Sequence, residues 1–180
     1  KPLKKGPNKK EQNIVLEEIE KILNGRVVQK DKKFYLNVNG AGNFEMSLVS
    51  EGYRKLATIM YLIQSDSLNK NSVLFWDEPE SNMNPKLIWP ITAALCELAN
   101  MGVQIFVSTH SYFVQQAFDF HHRKGTLLDI SFFSLFHDEK DGGLYAEAAD
   151  CVSDLEHNAI MEEFDAIYDR EQENFYHDHD

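Results

Sequence analysis

The chain has 180 residues, of which 43% are hydrophobic and 26% charged, with a formal net charge of −11, which is the make-up of one ordinary globular domain. It holds no run of about 18 apolar residues, so no helical membrane span is expected. The basic start "KPLKKGPNKK" leads into no apolar stretch and is not read as a secretory signal. Cys96 and Cys151 stand singly, without metal-ligand spacing, and the expected setting is reduced and cytoplasmic.

Charge is uneven along the chain. Residues 1–33 carry ten Lys/Arg against five Asp/Glu, residues 34–180 carry eight against twenty-four, and the acids gather after residue 137. An acidic tail repels nucleic acid at long range, so a contact with DNA or RNA would need a local basic patch or another subunit. The plain reading of the tail is a solvated face.

In chain order, the lysine-rich residues 1–10 read as a mobile arm or as the edge of a longer segment. "EQNIVLEEIEKILNG" places Ile14, Leu16, Ile19, Ile22 and Leu23 at helical spacing and stops at Asn24-Gly25. "RVVQKDKKFYLNVNG" reads as a hairpin with Phe34, Leu36 and Val38 on one face. "NFEMSLVSEG" is expected to be a strand ending in a turn at Ser50–Gly52, followed by a helix with Leu56, Ile59, Met60 and Ile63 on its apolar stripe. The apolar run from Val73 to Trp76 reads as a buried strand ended by Pro79. A helix is expected from about Pro85 to Asn100, where Pro85 suits a first turn and Pro90 threatens a kink. Val103 to Val107 is a second apolar strand, followed by a helix over Tyr112 to His121 and two strands joined by "DEKDGG". The last helix is expected from Asp154 to about Glu173, with an apolar stripe through Leu155, Ile160, Met161, Phe164, Ile167 and Tyr168. That stripe has two possible uses: packing on the chain's own sheet, or holding a partner protein such as a separate nuclease. The terminal "HDHD" reads as chain end rather than metal tract.

Two continuous apolar strands, each followed by a helix, imply an α/β fold with a mainly parallel sheet covered on both faces by helices. Ligands of such sheets bind beyond the carboxyl ends of the strands. Two polar clusters lie there: Asp77-Glu78 after one strand and Ser108-Thr109-His110-Ser111 after the other. A strand-tip acid can hold Mg²⁺ through its waters while phosphate completes the shell. A second acid can polarise water, and an imidazole can reach a transferred phosphate. These are the parts of a nucleoside-triphosphate hydrolase. Strand neighbours point to opposite sides, so the two acids need not share one task.

"VLFWDEPESNMNP" resembles the Walker B strand, catalytic glutamate and D-loop of ABC-type ATPases, and "IFVSTHS" resembles their switch-histidine loop. "LVSEGYRKLA" resembles the signature motif in the Ser-Glu-Gly form of ATPases of the overcoming-lysogenization-defect nuclease and Septu/retron defence group. The three motifs fall in the family's order within residues 47–111. The resemblance implies that Asp77 holds the Mg²⁺ shell, Glu78 is the general base and His110 meets the γ-phosphate of ATP. It also puts Ser81 and Asn82 at a subunit interface. Ser50, Glu51 and Gly52 would face the γ-phosphate of ATP held by a second subunit, in a homodimer closed around ATP. A helix N-terminus attracts anions, and Gly52 permits close backbone approach. Glu51 is expected to point away or to pair with Arg54, while Arg54 and Lys55 read as helix-surface residues.

One departure is large. The family binds phosphate through G-x-x-x-x-G-K-[ST], and no Gly-Lys pair occurs in this sequence. The expectation is therefore the C-terminal part of an ABC-type, P-loop NTPase-like ATPase lacking its N-terminal lobe, inactive by itself. Residues 1–46 would be arm, helix and hairpin, 47–150 the ATPase core, and 151–180 an acidic helix and tail. The implied biology is ATP hydrolysis that regulates or accompanies a nuclease in prokaryotic antiviral defence. The alternatives are an SMC or recombination ATPase, and a non-catalytic module that binds a partner through its acidic last helix.

Overall fold

The computed structural model describes residue 3 and residues 10–31, 33–127, 129–138 and 140–177. The basic arm, apart from Leu3 and Lys10, and residues 178–180 of the terminal tract lie outside the described residues. Helix α1 spans Lys10–Leu23, and Asn24 ends it at φ 46°, a left-handed value that asparagine tolerates. Strands β1 (Gly25–Lys30), β2 (Lys33–Val38) and β3 (Gly42–Glu45) form an antiparallel sheet in the order β1-β2-β3. A short 3₁₀ turn over Met46–Leu48 leads to α2, Glu51–Gln64. Strand β4 (Val73–Asp77) pairs in parallel with β5 (Gln104–Ser108), and α3 (Ile88–Asn100) connects them. Helix α4 (Tyr112–Arg123), the antiparallel pair β6 (Phe132–His137) and β7 (Leu144–Ala149), and α5 (Ala159–His177) complete the order.

The main core lies where α1, α2 and α3 meet the β1–β2 hairpin. Val15, Leu16, Ile19 and Leu23 of α1 pack with Leu56, Met60 and Ile63 of α2, with Leu95 and Leu98 of α3, and with Val27 and Leu36. Each such side chain contributes about 1.5–3 kcal/mol by burial. A second cluster of Ile88, Val114 and Ala117 seats α4 against α3. Among the described residues, no helix is long and apolar enough to cross a membrane. Burial pushes the Cys96 thiol up to about 12, in keeping with an inert core cysteine.

Several local expectations change. Ile14 is 48% exposed, and its neighbour Val15 takes the inner position of α1. The chain before α3 makes a separate 3₁₀ turn over Pro85–Leu87, capped by the Asn84 side chain. Pro90 therefore falls in the first turn of the α-helix proper, where it costs no hydrogen bond and forces no kink. Helix α5 begins at Ala159 instead of Asp154: residues Val152–Asp154 form a 3₁₀ turn, and Asn158 Oδ1 accepts from the Met161 amide. Phe164, Ile167 and Tyr168 of its stripe are exposed, although Phe164 stacks on Tyr112.

Sheet β4–β5 also departs from cover on both faces. Its residues alternate between half-buried and exposed. Leu74, Trp76, Ile105 and Val107 pack on the main core, whereas Val73, Phe75 and Phe106 face outward. Phe75 and Phe106 are register partners, and their rings stack at 4.8 Å. The β6–β7 pair likewise exposes Phe133, Leu135 and Leu144.

Candidate functional site at the ends of the parallel strands

The site begins with strand pairing. Register partners Asp77 and Ser108 end β4 and β5 side by side, so the loops that follow leave the sheet at the same edge. The Ser108 hydroxyl donates to Asp77 Oδ1, which fixes the carboxylate at the strand tip. Glu78 follows the strand end, and its amide donates to the Ser108 carbonyl at 2.9 Å. Its φ is 44°. A left-handed glutamate costs about 1–3 kcal/mol and persists where its surroundings over-determine it. Glu78 thus lies past the strand end, where strand alternation does not apply. Glu78 Oε1 lies 3.9 Å from His110 Nε2, and the His110 side chain is 89% exposed. Asp77 at the strand tip and Glu78 and His110 on the two loops thus lie at one end of the parallel pair.

The loop after β4 is fastened on both flanks. On one side, Thr109 Oγ1 donates to Glu80 Oε1 at 2.5 Å and accepts from the Ser111 amide at 3.0 Å. Glu80 Oε2 is buried without a partner among the described residues. On the other side, Lys55 Nζ donates to Ser81 Oγ at 2.6 Å and to the carbonyls of Glu78 at 3.0 Å and Ser81 at 3.1 Å. Lys55 is therefore not the plain helix-surface residue expected from its spacing. Its acceptors lie 23 to 26 residues further along the chain, and no local pattern announces them.

The expected signature residues stand at the start of α2. Ser50 is the N-cap but makes no side-chain capping bond, so its hydroxyl is not spent on the helix. Glu51 pairs neither with Arg54 nor with open solvent alone: its Oε2 accepts from Asn82 Nδ2 at 2.8 Å. Asn82 sits at φ 58°. Gly52 is buried, and a Cβ there would lie 3.0 Å from Met83 Cγ. The close approach that requires glycine is thus to the loop after β4. Ser50, Glu51 and Gly52 and the loop of Glu78, Ser81 and Asn82 form one connected unit.

Among the described residues no three His, Cys, Asp or Glu side chains gather as a metal cage. Asp77 alone suits one contact to an ion whose other ligands are phosphate and water.

A family profile described as "AAA domain, putative AbiEii toxin, Type IV TA system" matches residues 3–114. Over 62 residues the chain is 36% identical to Old nuclease of Escherichia phage P2, a match covering 32% of this chain and 11% of that protein. The chain thus spans a small part of that relative's length. Among solved structures, it resembles an Smc head bound to the C-terminal winged-helix domain of ScpA, with a TM-score of 0.58 and 11% identity. That likeness covers 79% of this chain and 43% of the other. It also resembles the Pyrococcus furiosus Smc head with an extended coiled coil, bound to the C-terminal domain of ScpA, with a TM-score of 0.51 and 8% identity. Here 76% of this chain and 35% of the other are covered. At such identities these structures speak for the fold, which is the P-loop NTPase fold of ABC-type ATPase heads. The chain belongs to the family of AAA domains described as putative AbiEii toxin of type IV toxin–antitoxin systems, and its resemblance to Old nuclease agrees with an ABC-type ATPase of the overcoming-lysogenization-defect group.

Proposed function

We propose that this chain supplies the hydrolytic acids and the trans-acting signature turn of an ATP hydrolase that works as a head-to-tail dimer. The observation that carries the reading is that Asp77 ends one of two parallel strands while Glu78 and His110, on the loops that follow the two, stand 3.9 Å apart. Glu78 is the general base that takes a proton from the attacking water. His110 meets the γ-phosphate and steadies the charge that grows on it. Asp77 holds one edge of the Mg²⁺ shell, and the metal supplies charge neutralisation to the phosphates when bound. Ser50, Glu51 and Gly52 present the N-terminus of α2 to nucleotide on a second subunit. Ser81 and Asn82 lie on the loop beside it and meet that subunit. A phosphate-binding loop has to come from polypeptide other than these residues, because no Gly-Lys pair occurs among them.

The likeness to Old nuclease supports a setting in which this hydrolysis regulates or accompanies a nuclease, in antiviral defence. A second reading, an interaction module, is favoured by α5, which carries exposed Phe164, Ile167 and Tyr168 among Glu162, Glu163, Asp165 and Asp169. One experiment separates the two. Glu78→Gln is introduced into this chain assembled with the polypeptide that supplies the phosphate-binding loop, in the same chain or a partner, and ATP binding and turnover are measured. Turnover is expected to fall 10²- to 10⁴-fold with binding kept. Unchanged turnover removes Glu78 from the mechanism.

A further inference from the structure

We infer that Lys55 is a positioning residue for Glu78: its ammonium fastens the Glu78–Ser81 loop to the first turns of α2 and so sets where the general base stands. The inference rests on the ATPase reading above.

An ammonium has three N–H donors. Those of Lys55 are matched by three close acceptors, Ser81 Oγ at 2.6 Å, the Glu78 carbonyl at 3.0 Å and the Ser81 carbonyl at 3.1 Å, while the Pro79 carbonyl stands off at 3.5 Å. All four are neutral. Lys55 forms no ion pair among the described residues, so its charge is spent on carbonyl and hydroxyl dipoles and not on the Glu78 carboxylate. A lysine paired with that carboxylate would weaken it as a base. One bonded to the base's own backbone carbonyl positions it and leaves its side chain toward His110. The strain at Glu78, φ 44°, requires such over-determination.

The same contacts tie Glu78 to the signature turn. Lys55 lies about one helical turn beyond Ser50 on α2. Glu51 bonds Asn82, and Gly52 admits Met83, at the helix start. A displacement of the Ser50–Gly52 turn by a partner's nucleotide is carried to Glu78 through α2 and Lys55. The base is thereby sensitive to engagement of its own subunit's signature turn.

The test uses the polypeptide that carries both this chain and its phosphate-binding loop, with Lys55→Met, Lys55→Gln, Lys55→Arg and the reference Glu78→Gln. Lys55→Met is expected to lower kcat about 10- to 100-fold with the KM for ATP within about twofold, since a small misplacement of a catalytic group costs about that much. Lys55→Arg should recover a substantial part of kcat. Amide exchange at Ser81 and Met83 should accelerate in Lys55→Met, with exchange in α3 unchanged. If Glu78→Gln keeps its turnover, Glu78 is not the general base and the reading above fails in that part. If Glu78→Gln loses turnover while Lys55→Met keeps kcat within twofold, or raises KM alone, the positioning role is overturned and the ATPase reading stands. Lys55→Gln repeats the test if Lys55→Met does not fold. Failure of both to fold would make Lys55 a structural residue and overturn the proposal.

Discussion

The loops after β4 and β5 leave the sheet from register partners, and Thr109 and Ser111 are bonded as the first loop is, yet Glu78 and His110 are held very differently. The loop after β4 is bonded at nearly every residue: Glu78 to Ser108 and Lys55, Glu80 to Thr109, Ser81 to Lys55, and Asn82 to Glu51. Among the described residues, the His110 side chain in the loop after β5 reaches toward Glu78 alone, and it is 89% exposed. A general base has to stand in one place before substrate arrives, and preorganisation of that kind is built into the fold. A histidine that meets a phosphate is completed by the phosphate. In the proposed mechanism the backbone of Glu78 is set in advance, and the open His110 side chain awaits nucleotide.

The largest test of this contrast is chemical. Glu78→Gln should reduce turnover 10²- to 10⁴-fold in the polypeptide carrying the phosphate-binding loop, read by phosphate release. His110→Ala should cost less, about 10-fold, if the imidazole only steadies charge; an equal loss would erase the distinction between the two loops. Next comes the fastening itself. Thr109→Val keeps the side-chain shape but removes the hydroxyl that serves Glu80, leaving a carboxylate whose other oxygen is already buried without a partner. A loss of about 1–3 kcal/mol is expected in denaturant unfolding. A neutral effect would mean that Glu80 and Thr109 are not bonded in solution. The smallest expected effect concerns strain. Glu78→Gly relieves the left-handed backbone at φ 44° and should raise stability by about 1 kcal/mol, although it ends catalysis. His110→Gly has no such strain to relieve and should be neutral or mildly destabilising. A gain at both positions would remove the contrast.

Much of this arrangement is visible in the primary structure because it is local. The apolar runs Val73 to Trp76 and Val103 to Val107, with Pro79 and Gly102 as punctuation, locate both strands and hence both polar clusters. The start of α5 was also locally encoded, by Asn158 as N-cap ahead of Ala159, but the apolar stripe extends back to Leu155 and draws the expected boundary with it. Ile14 and Val15 are adjacent apolar residues, and periodicity alone did not decide which would face inward; the packing of α1 on α2 and α3 chose Val15. Burial of the two strands on both faces was inferred from hydrophobicity. Among the described residues Phe75 and Phe106 instead share an open face, because an apolar run states a preference for cover and not what supplies it.

The sequence by itself determined the order of the elements, the pair of acids at one strand end, the histidine at the next, and the helix that starts at Ser-Glu-Gly, although Glu51 and Gly52 lie in its first turn and not in a turn ahead of it. Each depends on residue type and on spacing within a few positions, which is the range over which backbone preference and periodicity act. Only the tertiary structure decided that Lys55 holds the loop of Glu78, that Asn82 holds Glu51, and that Gly52 makes room for Met83. Those partners are 23 to 31 residues apart in the chain. Their meeting is set by how the start of α2 packs on the loop after β4, and a long, flexible lysine can satisfy its charge in many ways until that packing offers it a set of carbonyls.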